Sequence, residues 1–336
     1  MAIRYVNTAS TAGGNGTTNA TTGANRAYAS LNEWEAARQA NLTEIEECIC
    51  EGTTADTTAV IIDGWTTTAA FYIYIHTTQA NRHDGKWNTG KYRLELTADG
   101  NYFYGFLGNE EYMRIEGLQA SQIVNAYLSN RVIRLTSTNA CEIYVISTII
   151  KSIRTTGVCI GLDIPVSGVG QSGKVINSIA YDCNVGMSVE GITSSSRMYN
   201  CIAQNCVSGF ETNYNRAAAK NCLAYNCSTG YNGNFQVANC TNNLSGPTTS
   251  DAPGANARNA TSVTFVDETG DDFHLASGDA GAKDAGTDLS GDANYPFSDD
   301  IDGQTRGGSW DIGADEYVAA GGGAKFPTPH LWWSEA

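Results

Sequence analysis

Short apolar runs with alternating polarity recur along this chain: YIYI at 72–75, YRLEL at 92–96 and YMRIEGL at 112–118, with centres about 20 residues apart. From residue 177 the spacing becomes explicit. NSIAYDC (177–183), NCIAQNC (200–206), NCLAYNC (221–227) and NCTNN (239–243) start 23, 21 and 18 residues apart, and each full copy has a glycine nine places after its asparagine, at Gly186, Gly209 and Gly230. A weaker copy, STIIKSIRTTG, sets Thr148 and Gly157 at those two places. Helix-pair repeats run longer and need apolar residues at i, i+3, i+4 and i+7. A period near 20 in short alternating runs, with only 6 prolines, instead predicts an all-β solenoid over residues 55–246. Each repeat is then one coil of a parallel β-helix, three short strands joined by tight bends, with equivalent residues stacked about 4.8 Å apart.

Stacking gives the repeated asparagines a physical role. Asn tolerates the left-handed backbone of a sharp bend, and its amide can bond from coil to coil. Asn177, Asn200, Asn221 and Asn239 form one predicted ladder, and Asp182, Asn205 and Asn226 a second. Cysteines fall into columns beside them: Cys201, Cys222 and Cys240 with Ser178 and Thr148, then Cys183, Cys206 and Cys227. The alternatives are a zinc framework or disulfides. Four residues separate the paired cysteines where zinc knuckles usually have two, and none of the 4 histidines lies in the columns, so buried thiols are the reading preferred and no metal site is assigned.

Both ends of a solenoid expose strand edges and need covering. Residues 1–54 read as a strand, a loop and a helix in SLNEWEAARQAN, with Ser30 as N-cap, Glu33 completing a capping box, and Leu31, Trp34 and Ala37 on the covering face. After the coils, residues 247–317 are acidic: between Asp267 and Glu316 stand 14 Asp or Glu against Lys283 and Arg306. Within them, SDDIDG (298–303) has oxygen-rich spacing that would suit calcium. Without a closing Glu at the expected distance it reads better as a solvated acidic turn.

The pattern FVD, DFHL, DAG, DIDG, R, DIGADEY over 264–317 resembles the tail that follows right-handed parallel β-helix repeats in bacterial surface proteins and phage-encoded proteins, and the opening YVNTASTAGGNGT…AYASLNEWEAA is similar to that family's start. The resemblance implies a right-handed β-helix whose tail closes the last coil. It departs from the family at GDAGAKDAG, where a Ser-Pro-Ala-Ile step is usual. Beyond it, residues 318–336 form a Gly-rich hinge and an aromatic tail, in which Phe326, Leu331, Trp332 and Trp333 are expected to dock onto a partner.

Charge narrows the function. A formal net charge of −15 argues against nucleic-acid backbones as partners, no apolar run is long enough to span a membrane, and the N-terminus lacks a secretory pattern. No catalytic set is assigned and no cofactor is called for: Asp163, Asp182, Glu190 and Glu211, with Lys151, Arg154, Lys174, Arg197, Arg216 and Lys220, are expected not to share a column, and HTTQANRHDGKW (76–87) reads as a decorated loop. These features, with the resemblance, lead to a virion surface protein assembled in a host cytoplasm, a tail fibre, spike or capsid decoration that meets host surface or glycan and holds other virion proteins through its C-terminal tail. The alternatives are a polysaccharide lyase or glycoside hydrolase on the same scaffold, and a bacterial surface protein. A homotrimer is left open.

Overall fold

The computed structural model describes residues 1–98, 103–125, 129–154, 157–166, 168–191 and 195–319. Three parallel sheets wind around one core, as in a parallel β-helix, the first and third being continuous through the long strand Ser208–Lys220. The first sheet runs in chain order from Ala2–Asn7 and Glu46–Glu51 through Ile73–His76, Tyr112–Glu116, Cys141–Ile146, Gln171–Ile176 and Ser196–Tyr199 to the end of Ser208–Lys220. The second comprises eight strands, Leu94–Ala98 to Arg258–Asn259, and the third runs from Val60–Ile62 to Thr229–Phe235. Coiling thus begins at Glu46, ahead of residue 55.

The core is built by columns of like residues. Ile75, Ile115, Val145, Val175, Met198 and Ala219 stand on one another in the first sheet, each fully buried. Stacking of this kind repeats one apolar contact at every coil, which is why a weak sequence period is enough to specify the fold.

From Gly117 onward the bend between the first and second sheets is left-handed at each coil: Gly117, Ser147, Asn177, Asn200, Asn221, Asn242 and Asn256 have φ between 45° and 68°. The fourth rung of the predicted asparagine ladder is therefore Asn242, not Asn239. Leu244–Gly246 pairs with Leu223–Tyr225, which sets the step from Asn221 at 21 residues and leaves Asn239 exposed in the 3-10 turn Val237–Asn239. For the same reason Asn243, not Cys240, follows Cys201 and Cys222; its Oδ1 accepts the Cys222 N–H at 3.0 Å. The weaker copy shifts too. Ser147 takes the bend position, and Gly161 precedes Gly186, Gly209 and Gly230 in a column where a Cβ would fall 2.6 or 2.7 Å from the next glycine's carbonyl or, at Gly230, 2.6 Å from the Asp251 carboxylate.

The helix Leu31–Arg38 covers the first coil. Ser30 Oγ accepts the Glu33 N–H at 3.1 Å, and Glu33 reaches back to the Ala29 N–H at 2.7 Å. Its buried face is Leu31, Trp34 and Glu35, while Ala37 is exposed. Glu35 is the exception to apolar packing because it holds the Trp65 indole N–H at 2.7 Å.

Of the C-terminal segment, residues 247–259 cover the last coil, with Asp251 accepting the Gly230 N–H at 2.8 Å and Arg258–Asn259 paired to Leu244–Gly246, but the acidic part beyond them does not. It runs back along the solenoid flank as a strap, and the bend asparagines bind it: Asn177 donates to Asp299 O (3.0 Å), Asn200 to Gly313 O (3.2 Å), Asn221 to Thr287 O (2.8 Å) and Asn242 to Ala285 O (2.8 Å). Side chains expected to bond from coil to coil thus largely face the strap, and the links within the column, among the described residues, are Asn221 to Asn200 at 3.1 Å and Asn256 to Asn242 at 3.4 Å. Underneath lie apolar rows. Ile149, Ile179, Ile202, Leu223 and Leu244 on the second sheet pack against Val263, Phe265, Phe273 and Ile312, and Tyr144, Ile176 and Tyr199 on the first pack against Tyr295, Phe297 and Trp310.

Candidate functional surface

With the strap on the first two sheets, the outer face of the third sheet remains. One residue per coil points outward from it in register: Ile61, Leu107, Arg134, Asp163, Ser188, Glu211 and Asn232. The row changes from apolar to charged to polar along the solenoid. Asp163 and Glu211 therefore do share a column, contrary to the expectation from sequence, because the strand register brings together residues 48 positions apart that no linear motif connects. Lys174 and Arg197 share another on the first sheet, beside the strap's Asn294.

The carboxylates of the open row are engaged. Asp163 Oδ2 accepts from Arg131 Nε at 3.0 Å and from Arg134 Nη1, and both guanidinium groups lie over the Tyr104 ring, 5.9 and 5.7 Å from its centroid. Glu211 accepts from Asn232 Nδ2 at 3.2 Å, and Glu190 from Asn213 Nδ2 at 2.8 Å. Paired amides and carboxylates on successive coils, with the Tyr104 ring and its two arginines further along the same face, are groups that can hydrogen-bond a polyhydroxylated chain.

A second feature lies where the strap meets the loop 76–93. A cavity of about 380 Å³ is walled by Asp84, Lys86, Asp272, His274, Asp302 and Asp315. The loop, far from being surface decoration, is largely a binding element for the strap: Lys86 Nζ meets Asp272 at 2.9 Å, and Gln79 Nε2 donates to Asp302 O at 2.6 Å. Burial pulls the His274 imidazolium down, but its 2.5 Å bond to Asp272 and the charge of Asp315 outweigh this and leave it up at about 9. His83 is the opposite case. Burial, reinforced by Arg82, pushes it down to about 3, and as a neutral ring it donates to Ser147 O at 2.7 Å and accepts the Gly85 N–H at 3.3 Å.

The SDDIDG turn is buried, not solvated: Asp299, Asp300 and Asp302 are each at most 5 % exposed. Carboxylate oxygens of Asp300, Asp302 and Asp315 lie within 4.8 Å of one another, the only such acidic group among the described residues. Their surroundings do not fit a metal ion. Asp300 already accepts N–H groups from Asp302, Gln304 and Glu316, and Asp315 accepts from Leu275, at 2.7–3.2 Å. Arg306 and His274 add positive charge alongside, where calcium would need six to eight oxygens.

The remaining predicted residues are placed as follows. All ten cysteines are buried and free of disulfides. Cys201 and Cys222 sit in one column and Cys183, Cys206 and Cys227 in the other, their Sγ atoms directed at backbone carbonyls such as Val175 O, Met198 O and Ala203 O. Cys240 lies apart, accepting the Ala219 N–H at 3.3 Å. Phe326, Leu331, Trp332 and Trp333 lie outside the described residues.

No protein-family model matches the chain, and no curated protein does. Among solved structures, the crystal structure of pectate lyase Pel9A aligns over 95% of this chain and 97% of that one, at 13% identity and a TM-score of 0.36.

Proposed function

We propose that this chain is a structural, adhesive component of a virion surface that binds glycan along the open face of its third sheet, with the tail beyond Tyr317 joining it to other virion proteins. The observation that carries the reading is the asymmetry of the solenoid: two faces are covered by the chain's own strap, and the third keeps a row free of the strap that is exposed at Ile61 and Asn232, half-buried at Leu107, Arg134 and Glu211, and buried at Asp163 and Ser188. In that row Asp163 is held between two arginines and Glu211 by Asn232, an arrangement suited to binding.

A second reading is a polysaccharide lyase or glycoside hydrolase on the same face. It is favoured by Asp163 and Glu211 standing in one column beside Arg131 and Arg134, the carboxylate and base types such chemistry uses. A glycan array with the full chain, followed by Glu211→Ala and Asn232→Ala, separates the two. The adhesive role predicts binding that these variants weaken at least tenfold without a change in melting temperature, and no new reducing ends or unsaturated products from the bound glycan. Product release, abolished in the Asp163→Asn chain, would establish the enzyme instead.

A further inference from the structure

The strap does not reach every part of the first sheet. One outward column of that sheet carries Glu47, Tyr74, Arg114, Tyr144, Lys174 and Arg197 on successive coils. The strap meets it at Arg197, through Asn294, and at Tyr144, through the Tyr295 ring. Arg114, one coil before Tyr144, and Tyr112 on the same strand stay half-buried.

Arg114 is held in place without being neutralised. Its guanidinium lies over the Tyr72 ring at 3.9 Å and the Tyr144 ring at 5.1 Å, and Nη1 donates to the Tyr72 hydroxyl at 2.9 Å. No carboxylate and no backbone carbonyl accepts from it among the described residues, whereas Arg38, Arg82, Arg93, Arg131 and Arg306 each pair with an acid. A guanidinium has five N–H donors in a rigid fork, so one pinned by rings on two sides keeps most of its donors for a ligand. The surroundings do not supply the missing charge. From Arg114 onward the column carries three cations and no acid, and Glu142, opposite Tyr112 in the next column, goes to Lys174 Nζ at 2.6 Å. On a chain of formal net charge −15, three cations in one row reverse the local sign.

An arginine fork suits a carboxylate, which it takes bidentately. The neighbours decide which kind. Burial pushes the Glu142 carboxyl up, but Lys174, Tyr144 and Arg114 outweigh this and hold it below the usual carboxylate range, so it is ionised and can only accept. Its side chain is 36 % exposed, within reach of a ligand seated on Arg114. A sugar acid meets both needs, with a carboxylate for Arg114 and hydroxyls for Glu142 and Tyr112, while the side chains of an acidic peptide bring acceptors alone. We propose that Arg114, clamped by Tyr72 and Tyr144 and flanked by Tyr112 and Glu142, is a seat for the carboxylate of a sugar acid. The inference rests on the glycan-binding reading and adds to it a second contact, on the first sheet, that selects acidic from neutral glycans.

The test is a glycan array in which each carboxylated member stands beside its carboxyl-reduced form, probed with the full chain as wild type, Arg114→Gln, Arg114→Lys and Glu211→Ala. The wild type should bind at least one acidic glycan about tenfold more tightly than its reduced form, a preference that Arg114→Gln abolishes. Glu211→Ala should weaken both forms alike and keep the preference. Arg114→Lys holds a cation between the rings but lacks the fork; it serves if Arg114→Gln does not fold, and its preference should drop to about threefold or less. Equal binding of acidic and reduced forms, or a preference that survives in Arg114→Gln, overturns the seat and leaves the third-sheet reading standing. Displacement of the acidic glycan by a deca-glutamate peptide of equal affinity also overturns it, since the seat would then belong to an acidic protein segment. A wild type that binds no glycan on the array removes both readings together.

Discussion

Asn200 does two things at once. Its backbone takes the left-handed bend (φ 49°), and its amide donates to Asp311 O at 3.4 Å and Gly313 O at 3.2 Å. Replacing it by alanine removes both, at about 1 kcal/mol net per hydrogen bond and about 1–2 kcal/mol for a Cβ residue without Asn's tolerance of that conformation. Asn200→Ala should therefore cost about 2–4 kcal/mol, and Asn200→Gly, which keeps the bend, about half as much. Urea unfolding of the two variants measures the difference. Equal losses would mean that the bend conformation contributes nothing. The φ requirement was legible from the sequence as a recurring Asn before a short apolar run. The strap contact was not, because its partners are backbone carbonyls more than 80 residues away, which have no side-chain signature.

At the scale of elements, alternation and spacing revealed the strands, the N-terminal helix and the cysteine columns, since each depends on residues close in sequence. Register was harder. The NC dipeptide at 239–240 imitates the start of a repeat, but Leu244 stacked on Leu223 decides the pairing, and Asn242 moves into the column. The helix Leu31–Arg38 hides another element-scale property, which single-residue reading of Glu110 does not show. That carboxyl accepts the Trp65 N–H at 2.8 Å and is 3 % exposed; burial, with Glu111, Asp63 and Glu35 nearby, pushes it up to about 7. A raised carboxyl stabilises the fold below pH 4.5, and that contribution fades as pH rises through 7. Glu110→Gln, which imitates the neutral acid, should match the wild type at pH 4 and exceed its stability at pH 8 by up to about 3 kcal/mol. Thermal melts followed by tryptophan fluorescence, which the stacked Trp34 and Trp65 report, check this. A variant less stable than the wild type at pH 8 would show that the fold favours the Glu110 carboxylate and that its value is not raised.

For the whole molecule, the decisive question is whether residues 260–317 close an end or cover a side. An end cap would protect only the last strand edges, so removing it would fray Arg258–Asn259 and Leu244–Gly246 while the earlier coils stayed dry. A strap along the flank protects residues as early as Tyr144 and Ile149, because its aromatic and aliphatic side chains sit on rows that span the middle coils. A chain ending at Asn259 should then expose two contiguous apolar rows, far larger than the scattered surface residues a monomer tolerates. It should bind a hydrophobic dye and run as oligomers in size-exclusion chromatography with light scattering, while its far-ultraviolet circular dichroism stays β-rich. A monomeric, dye-silent truncation would mean the flank is stable without its cover. The charge distribution makes the flank placement reasonable. The strap brings its acids over a surface that offers Lys174, Arg197 and Lys220, and Lys220 already pairs with Asp292 at 2.6 Å. A strap that binds by such contacts and by apolar cover holds two faces of the solenoid closed.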